Sequence, residues 1–262
     1  MLDIHLKLAT DTARAAGNAI MCFYKQENHV AFKQDGSPLT LADRAAHVVI
    51  TNCLASSKIP CVSEEGKDRF LNKTQYWLVD PLDGTKDFLS GNDEFTVNIA
   101  LVEKNRPVLG IVYAPALDEL YAGSVEHPAH LMKAGFATRY CSTEKSISLR
   151  ATVSRFHDHP DVSVFAASNE VGELIPTGSS LKYARLAFGK ADVFPRLVGS
   201  SEWDTAAGQA VLESAGGSVL NWHTGKPLSY GKKLRRNPRL ISFRAPYQFN
   251  DFKLKHYLPE LL

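Results

Sequence analysis

The chain has 262 residues, 44% of them hydrophobic and 22% charged, with a formal net charge of +2. That length suits one large domain or two small ones, in an ordinary globular composition with no general electrostatic footprint for a nucleic-acid polymer. Its longest apolar runs, such as Val97–Val102, fall far short of the ~18 residues a transmembrane segment needs, and Asp3, His5, Lys7, Asp11 and Arg14 interrupt any secretory leader.

Residues 3–25 place Ile4, Leu8, Ala15, Ala16, Ala19, Ile20 and Phe23 roughly on one stripe, which predicts a first helix. Val30–Lys33 reads as a short strand, followed by the turn Asp35-Gly36-Ser37-Pro38. A second helix is expected from about Thr40 to Ser57, with Ala45, Val48, Val49, Cys53 and Leu54 as its apolar side. Asp43 falls in its first turn, where the helix dipole alone favours a carboxylate. Ile59–Ser63 is a short apolar stretch that runs into Glu64-Glu65-Gly66. The strand Trp77–Val79 then delivers Asp80, and Pro81 is expected to end it. Phe95–Val102, Val108–Tyr113 and Glu119–Gly123 read as an antiparallel meander, with a turn at Asn105-Arg106.

The stretch from about Gly135 to Arg150 is polar and poorly periodic. It divides an N-terminal α+β half, 1–145, from a C-terminal α/β half, 146–262. In the second half Ala151–Ser154 and Val162–Ala167 are strand candidates, Leu181–Gly189 a helix, Ala191–Pro195 a strand, and Thr205–Ala215 a helix closed by Gly216-Gly217. Alternating elements imply a layered α/β arrangement. Cys22, Cys53, Cys61 and Cys141 form no C-x-x-C pair, which argues against zinc and suits a reducing cytoplasm. Lys232, Lys233, Arg235 and Arg236 form a basic run. Its plain reading is a solvated loop; its functional reading is attraction of a multiply anionic substrate, and peripheral contact with the inner face of the membrane stays open.

The most informative residues are Asp80-Pro81-Leu82-Asp83-Gly84-Thr85. Two carboxylates on a tight turn at a strand end suit hard divalent cations with oxygen ligands. The adjoining Gly84 and Thr85 suit a phosphate resting on backbone N–H groups. Together they suggest metal-assisted phosphoryl chemistry. An EF-hand loop does not fit, because Asp83, Pro81 and Gly84 occupy the wrong positions. An aspartyl-phosphate phosphatase fits poorly, since its D-x-D-G-T has one residue fewer between the aspartates. Glu64 alone reads as a surface carboxylate, and Asp204 as an N-cap of the helix that follows it. His157-Asp158-His159 lacks paired ligand spacing, and His47, one turn after Asp43, reads as a packing or hydrogen-bonding residue.

With S-E-E-G at 63–66, W-D-T-A-A-G at 203–208 and a downstream G-G at 216–217, the turn resembles the lithium-sensitive, magnesium-dependent phosphomonoesterases of the inositol monophosphatase superfamily. The similarity runs from D-G-S-P-L-T-L-A-D at 35–43 to G-K-P-L at 225–228. Residues 86–102 and 178–196 look most like the CysQ type, the 3'(2'),5'-bisphosphate nucleotidases. The resemblance implies a layered αβαβα sandwich and two or three Mg²⁺ ions held by Glu64, Asp80, Asp83, Asp204 and the backbone carbonyl of Leu82. It makes Asp43 and Thr85 the pair that orients and deprotonates the attacking water. Gly84 and Thr85 would hold the scissile phosphate through backbone N–H groups, and Ser179, Lys182 and Arg196 would contact the nucleotide.

Where inositol monophosphatases carry an acidic residue, this chain has Arg196, whose bidentate fork suits a second phosphate. The implied reaction is hydrolysis of 3'-phosphoadenosine 5'-phosphate to AMP and phosphate by direct attack of water. The alternatives are an inositol monophosphatase or broad sugar-phosphate phosphatase, and a catalytically silent Mg²⁺/phospholigand-binding protein. The expected partner is a small phosphorylated nucleotide, with the oligomeric state open.

Overall fold

A computed structural model describes residues 2–26, 31–32, 38–66, 73–139, 144–156 and 159–254. The first helix, α1 (Leu2–Met21), buries Ala9, Thr12, Ala13, Ala16, Gly17 and Ile20. The expected stripe is thus rotated, and Ile4 is 73% exposed. Small residues face the sheet because the helix lies close against it: a Cβ on Gly17 would stand 2.4 Å from the Tyr113 ring. The same holds for α2 (Leu41–Leu54), which buries Ala42, Asp43, Ala46, Ile50 and Leu54 and leaves the larger Val48 exposed. Ala16, Ile20 and Leu54 of the expected faces are buried and Leu8, Phe23 and Val49 pack beside them, but hydrophobicity alone does not centre the face when the helix–sheet gap admits only small side chains.

The first sheet has seven strands in sequential order. They are β1 (Cys61–Ser63), β2 (Gln75–Asp83), β3 (Thr96–Glu103), β4 (Arg106–Ala114), β5 (Glu119–Ser124), β6 (His130–Lys133) and β7 (Phe136–Arg139). Only β1 and β2 pair in parallel. Alternate residues of β2 serve two cores. Trp77 and Val79 meet α1 and α2, whereas Tyr76 and Leu78 meet a second helical layer. With both faces covered, these strands read as unbroken apolar runs. The meander turn lies one residue earlier than expected, at Lys104 and Asn105, both at positive φ as a tight hairpin requires.

The second sheet has five strands in the order β9-β8-β10-β12-β11: β8 (Leu149–Ser154), β9 (Val171–Thr177), β10 (Val193–Arg196), β11 (Ser218–Asn221) and β12 (Leu240–Phe243). Between the sheets lie α5 (Leu181–Ala187) and α6 (Trp203–Ser214), with Leu181, Ala184, Ala207 and Val211 in one core with Leu78 and Val112. On the outer face sits α4 (Asp161–Ser168), through Val162 and Phe165. The layers run αβαβα, as the resemblance implies. Residues 162–167, expected as a strand, form α4 instead. Val162 and Phe165 are three apart and share its buried side, a spacing a short apolar run does not distinguish from a strand. No described helix is long and apolar enough to cross a membrane.

Candidate active site

A cleft of about 590 Å³ opens where the two sheets and the α5/α6 layer meet. Its floor is the end of β2. Pro81 does not end this strand. Instead, Asp80 pairs with Asn98 and Asp83 with Thr96, so three steps on β2 match two on β3. This is a bulge of one residue, where proline is tolerated. Residues three apart on a regular strand face opposite sides; the extra residue brings both Asp80 and Asp83 to line the cleft. Asp80 Oδ1 accepts the Leu82 N–H at 3.1 Å, which tightens the turn. Gly84 then takes φ +86, and Thr85 starts the short helix α3 (Thr85–Ser90). A Cβ on Gly84 would press on Asp87 and Ser179 at 3.1 Å.

Ligand oxygens of Glu64, Asp80 and Asp204 come within 4.8 Å of one another. Glu64 follows β1, its N–H bonded to the Val79 carbonyl at 3.1 Å. The adjacent Ser63 hydroxyl lies 2.9 Å from His47 Nδ1, so His47 takes part in hydrogen bonding. Asp204 is not the N-cap expected from the sequence. The helix begins two residues earlier than expected, at Trp203 with Glu202 at the cap, and Asp204 Oδ2 accepts the Ser201 N–H at 2.8 Å from inside the first turn. Asp83 stands beside the trio and accepts from Asn98 at 3.3 Å. Burial pushes its carboxyl up to about 6, while Lys182 pulls the other way. Burial and the charges of Asp83 and Glu64 push Asp204 up to about 7. All-oxygen donors that repel one another in a half-buried floor fit a hard divalent cation.

Asp43 is buried and closes a capping box at the start of α2. Its Oδ2 accepts from Thr40 N at 2.7 Å and from Thr40 Oγ1 at 2.6 Å. The same cleft is lined by the cations Lys182 and Arg196. Lys182 is 6% exposed and donates to the Thr177 carbonyl at 3.0 Å. Burial and Arg196 lower its pKa to about 8, opposed by Asp83 and Asp87. Arg196, at the end of β10, donates to Ser154 Oγ at 2.9 Å. Ser179 holds a positive φ of 46 at the lip, an uncommon conformation for a residue with a side chain.

Sequence reasoning missed several lining residues. Asp87, Arg155 and Phe156 face the cleft, with Arg155 paired to Glu94 at 2.5 Å. The basic run is no detached solvated loop, since Lys233, Arg235 and Arg236 also line the cleft. Its density of charge was the available signal. His157 and Asp158 lie outside the described residues; His159 Nδ1 accepts the Asp161 N–H at 3.1 Å and belongs to the start of α4.

A model of the inositol monophosphatase family matches residues 1–242. The 3'(2'),5'-bisphosphate nucleotidase CysQ of Escherichia coli strain K12 is 40% identical over 231 residues, 83% of this chain and 90% of that protein. The CysQ of Buchnera aphidicola is 39% identical over 230 residues, 85% of this chain and 86% of that one. The crystal structure of CysQ from Bacteroides thetaiotaomicron matches with a TM-score of 0.82 at 36% identity, over 93% of this chain and 98% of that one.

Proposed function

The chain belongs to the inositol monophosphatase family, and we propose that it is a magnesium-dependent phosphomonoesterase that hydrolyses the 3'-phosphate of 3'-phosphoadenosine 5'-phosphate, releasing AMP and phosphate. The observation that carries this is one cleft lined by both clustered carboxylates and cations. It gathers oxygens of Glu64, Asp80 and Asp204 within 4.8 Å of one another, and its lining also presents Lys182 and Arg196. Glu64, Asp80, Asp83, Asp204 and the Leu82 carbonyl would hold two or three Mg²⁺ ions. Bound there, the ions supply Lewis acidity, which acidifies water and offsets charge on the phosphoryl group.

The protein's own groups orient the reactants. Gly84 and Thr85 present backbone N–H groups to the phosphoryl oxygens at the start of α3. Thr85 takes a proton from the attacking water as it passes its own hydroxyl proton to Asp43. Both lone pairs of Asp43 Oδ2 are engaged by Thr40, so Oδ1 is the oxygen assigned to Thr85. Lys182 and Arg196 neutralise the second phosphate, with Ser179 on the nucleotide side. An inositol ring offers hydroxyls there rather than an anion, so Arg196 favours the bisphosphorylated nucleotide. Cys22, Cys53 and Cys61 are free thiols, which supports a reducing cytoplasmic setting.

The test is kcat/KM, with and without Mg²⁺, on 3'-phosphoadenosine 5'-phosphate, inositol 1-phosphate and fructose 1,6-bisphosphate. The nucleotide should lead by at least about tenfold, about 1.4 kcal/mol of differential transition-state binding. Equal rates on all three would reject the substrate assignment, and metal-independent hydrolysis would reject the mechanism.

A further inference from the structure

The four cations at 232–236 divide into two kinds. Lys232 and Arg235 turn inward onto one carboxylate, Glu202, which is 0% exposed. Glu202 Oε1 accepts the Lys232 N–H at 3.1 Å and lies 2.7 Å from Lys232 Nζ. Glu202 Oε2 accepts the Gly231 N–H at 3.0 Å and Arg235 Nη1 at 2.9 Å. The Arg235 guanidinium also lies over the Tyr76 ring at 5.1 Å and donates to its hydroxyl at 3.1 Å. The backbone is tied as well: Glu202 N–H bonds to the Arg235 carbonyl at 2.8 Å, and Ser201 pairs with Arg236 across a short antiparallel bridge. Lys233 and Arg236, by contrast, are exposed, and both line the cleft.

A buried carboxylate costs several kcal/mol to desolvate. Here it is compensated by four donors from one six-residue segment, two of them backbone N–H groups. Such an arrangement fixes the path of that segment more than it adds net stability. Its outcome is that the two exposed cations face the cleft while Lys232 and Arg235 are held on Glu202.

We propose that Glu202 is a positioning residue for substrate specificity: it folds the segment 231–236 against the cleft so that Lys233 and Arg236 attract the second anionic group of a bisphosphorylated substrate. The assignment rests on the nucleotide reading above and adds a second cationic arm to Lys182 and Arg196. The exposed position makes the arm electrostatic and salt-sensitive. It acts on capture of the substrate and leaves the reacting phosphoryl group to the floor of the cleft.

The experiment compares 3'-phosphoadenosine 5'-phosphate with adenosine 3'-monophosphate, which has the same reacting phosphate and lacks the second one. Lys233→Ala combined with Arg236→Ala should raise KM for the bisphosphate about five- to tenfold at low salt, as two exposed charges allow. The effect should shrink at 0.5 M KCl, and kcat on the monophosphate should stay within about twofold, the screened arm having no part in that reaction. Glu202→Gln should reproduce the same selective rise. Because that change breaks a buried network, Lys232→Ala serves as the milder cut of one tie, with a selective rise of about threefold. Equal losses on both substrates from Glu202→Gln and Lys232→Ala, or no KM change in the Lys233/Arg236 double variant, would overturn the proposal. A wild-type enzyme with no preference for the bisphosphate would instead overturn the nucleotide reading itself.

Discussion

Replacing Asp204 by Asn should abolish hydrolysis and yet stabilise the cation-free protein. Burial and the charges of Asp83 and Glu64 push the Asp204 carboxyl from its ordinary 3.8 up to about 7. A carboxyl raised in this way holds its proton more tightly in the folded state than in the unfolded chain. Its contribution to stability is fully present below about pH 4 and is lost as the pH rises to about 7. The displacement corresponds to about 4 kcal/mol as an upper bound. The penalty is shared with Asp83, so one neutral amide should relieve about 2 kcal/mol at pH 8. The Asn oxygen keeps an acceptor for the Ser201 N–H, now 2.8 Å from Oδ2. In a chain of this size about 2 kcal/mol is a rise in Tm of about 4–8 °C. Thermal unfolding in EDTA should show that rise at pH 8 and almost none at pH 4. Saturating Mg²⁺ should stabilise the wild type and do little for the variant. A variant that melts at or below the wild type in EDTA at pH 8 would refute the claim that these carboxylates repel one another until a cation arrives.

Gly110→Ala places a Cβ 2.2 Å from the Ala207 carbonyl oxygen and 2.8 Å from the Ala210 Cβ, so α6 must lift from β4. The cost should be about 3 kcal/mol by denaturant unfolding, with activity lost because Asp204 moves with the helix. Asp43→Ala removes a capping box worth about 1 kcal/mol; kcat should fall at least about a hundredfold if Asp43 takes the Thr85 proton. A fall of only a few-fold would leave Asp43 a cap alone. Arg196→Glu should raise KM for 3'-phosphoadenosine 5'-phosphate by about tenfold or more and spare inositol 1-phosphate. Loss on every phosphomonoester alike would sink the specificity role.

Local chemistry made the Asp80–Thr85 turn legible, because Pro, Gly and paired carboxylates each constrain the backbone within a few residues. The meander was legible from its short apolar runs separated by a two-residue turn. What the sequence hid were long-range effects. The bulge in β2 exists only against β3. The true faces of α1 and α2 depend on a helix–sheet gap set by Tyr113 and its neighbours. The hairpin of β6 and β7 carries an exposed strand, Phe136–Arg139, with no buried side to generate a pattern, and Phe136 is 77% exposed. The start of α6 was placed two residues late, because Trp203 and Asp204 gave no helical signal by themselves. The basic run looked like solvent-facing charge because its partner, Glu202, lies some thirty residues earlier.

The location of Asp204 on α6, apart from the β1–β2 end of the first sheet, has a consequence for synthesis. A nascent chain that has emerged through Ser154 already holds Glu64, Asp80 and Asp83 but lacks Lys182, Arg196 and Asp204. Ribosome-bound intermediates and chains truncated before residue 182 therefore carry these acids without the remaining carboxylate or the cations Lys182 and Arg196. With Asp204 among the proposed ligands, catalytic competence is expected only once α6 has docked, which would make phosphate release a readout of completed folding.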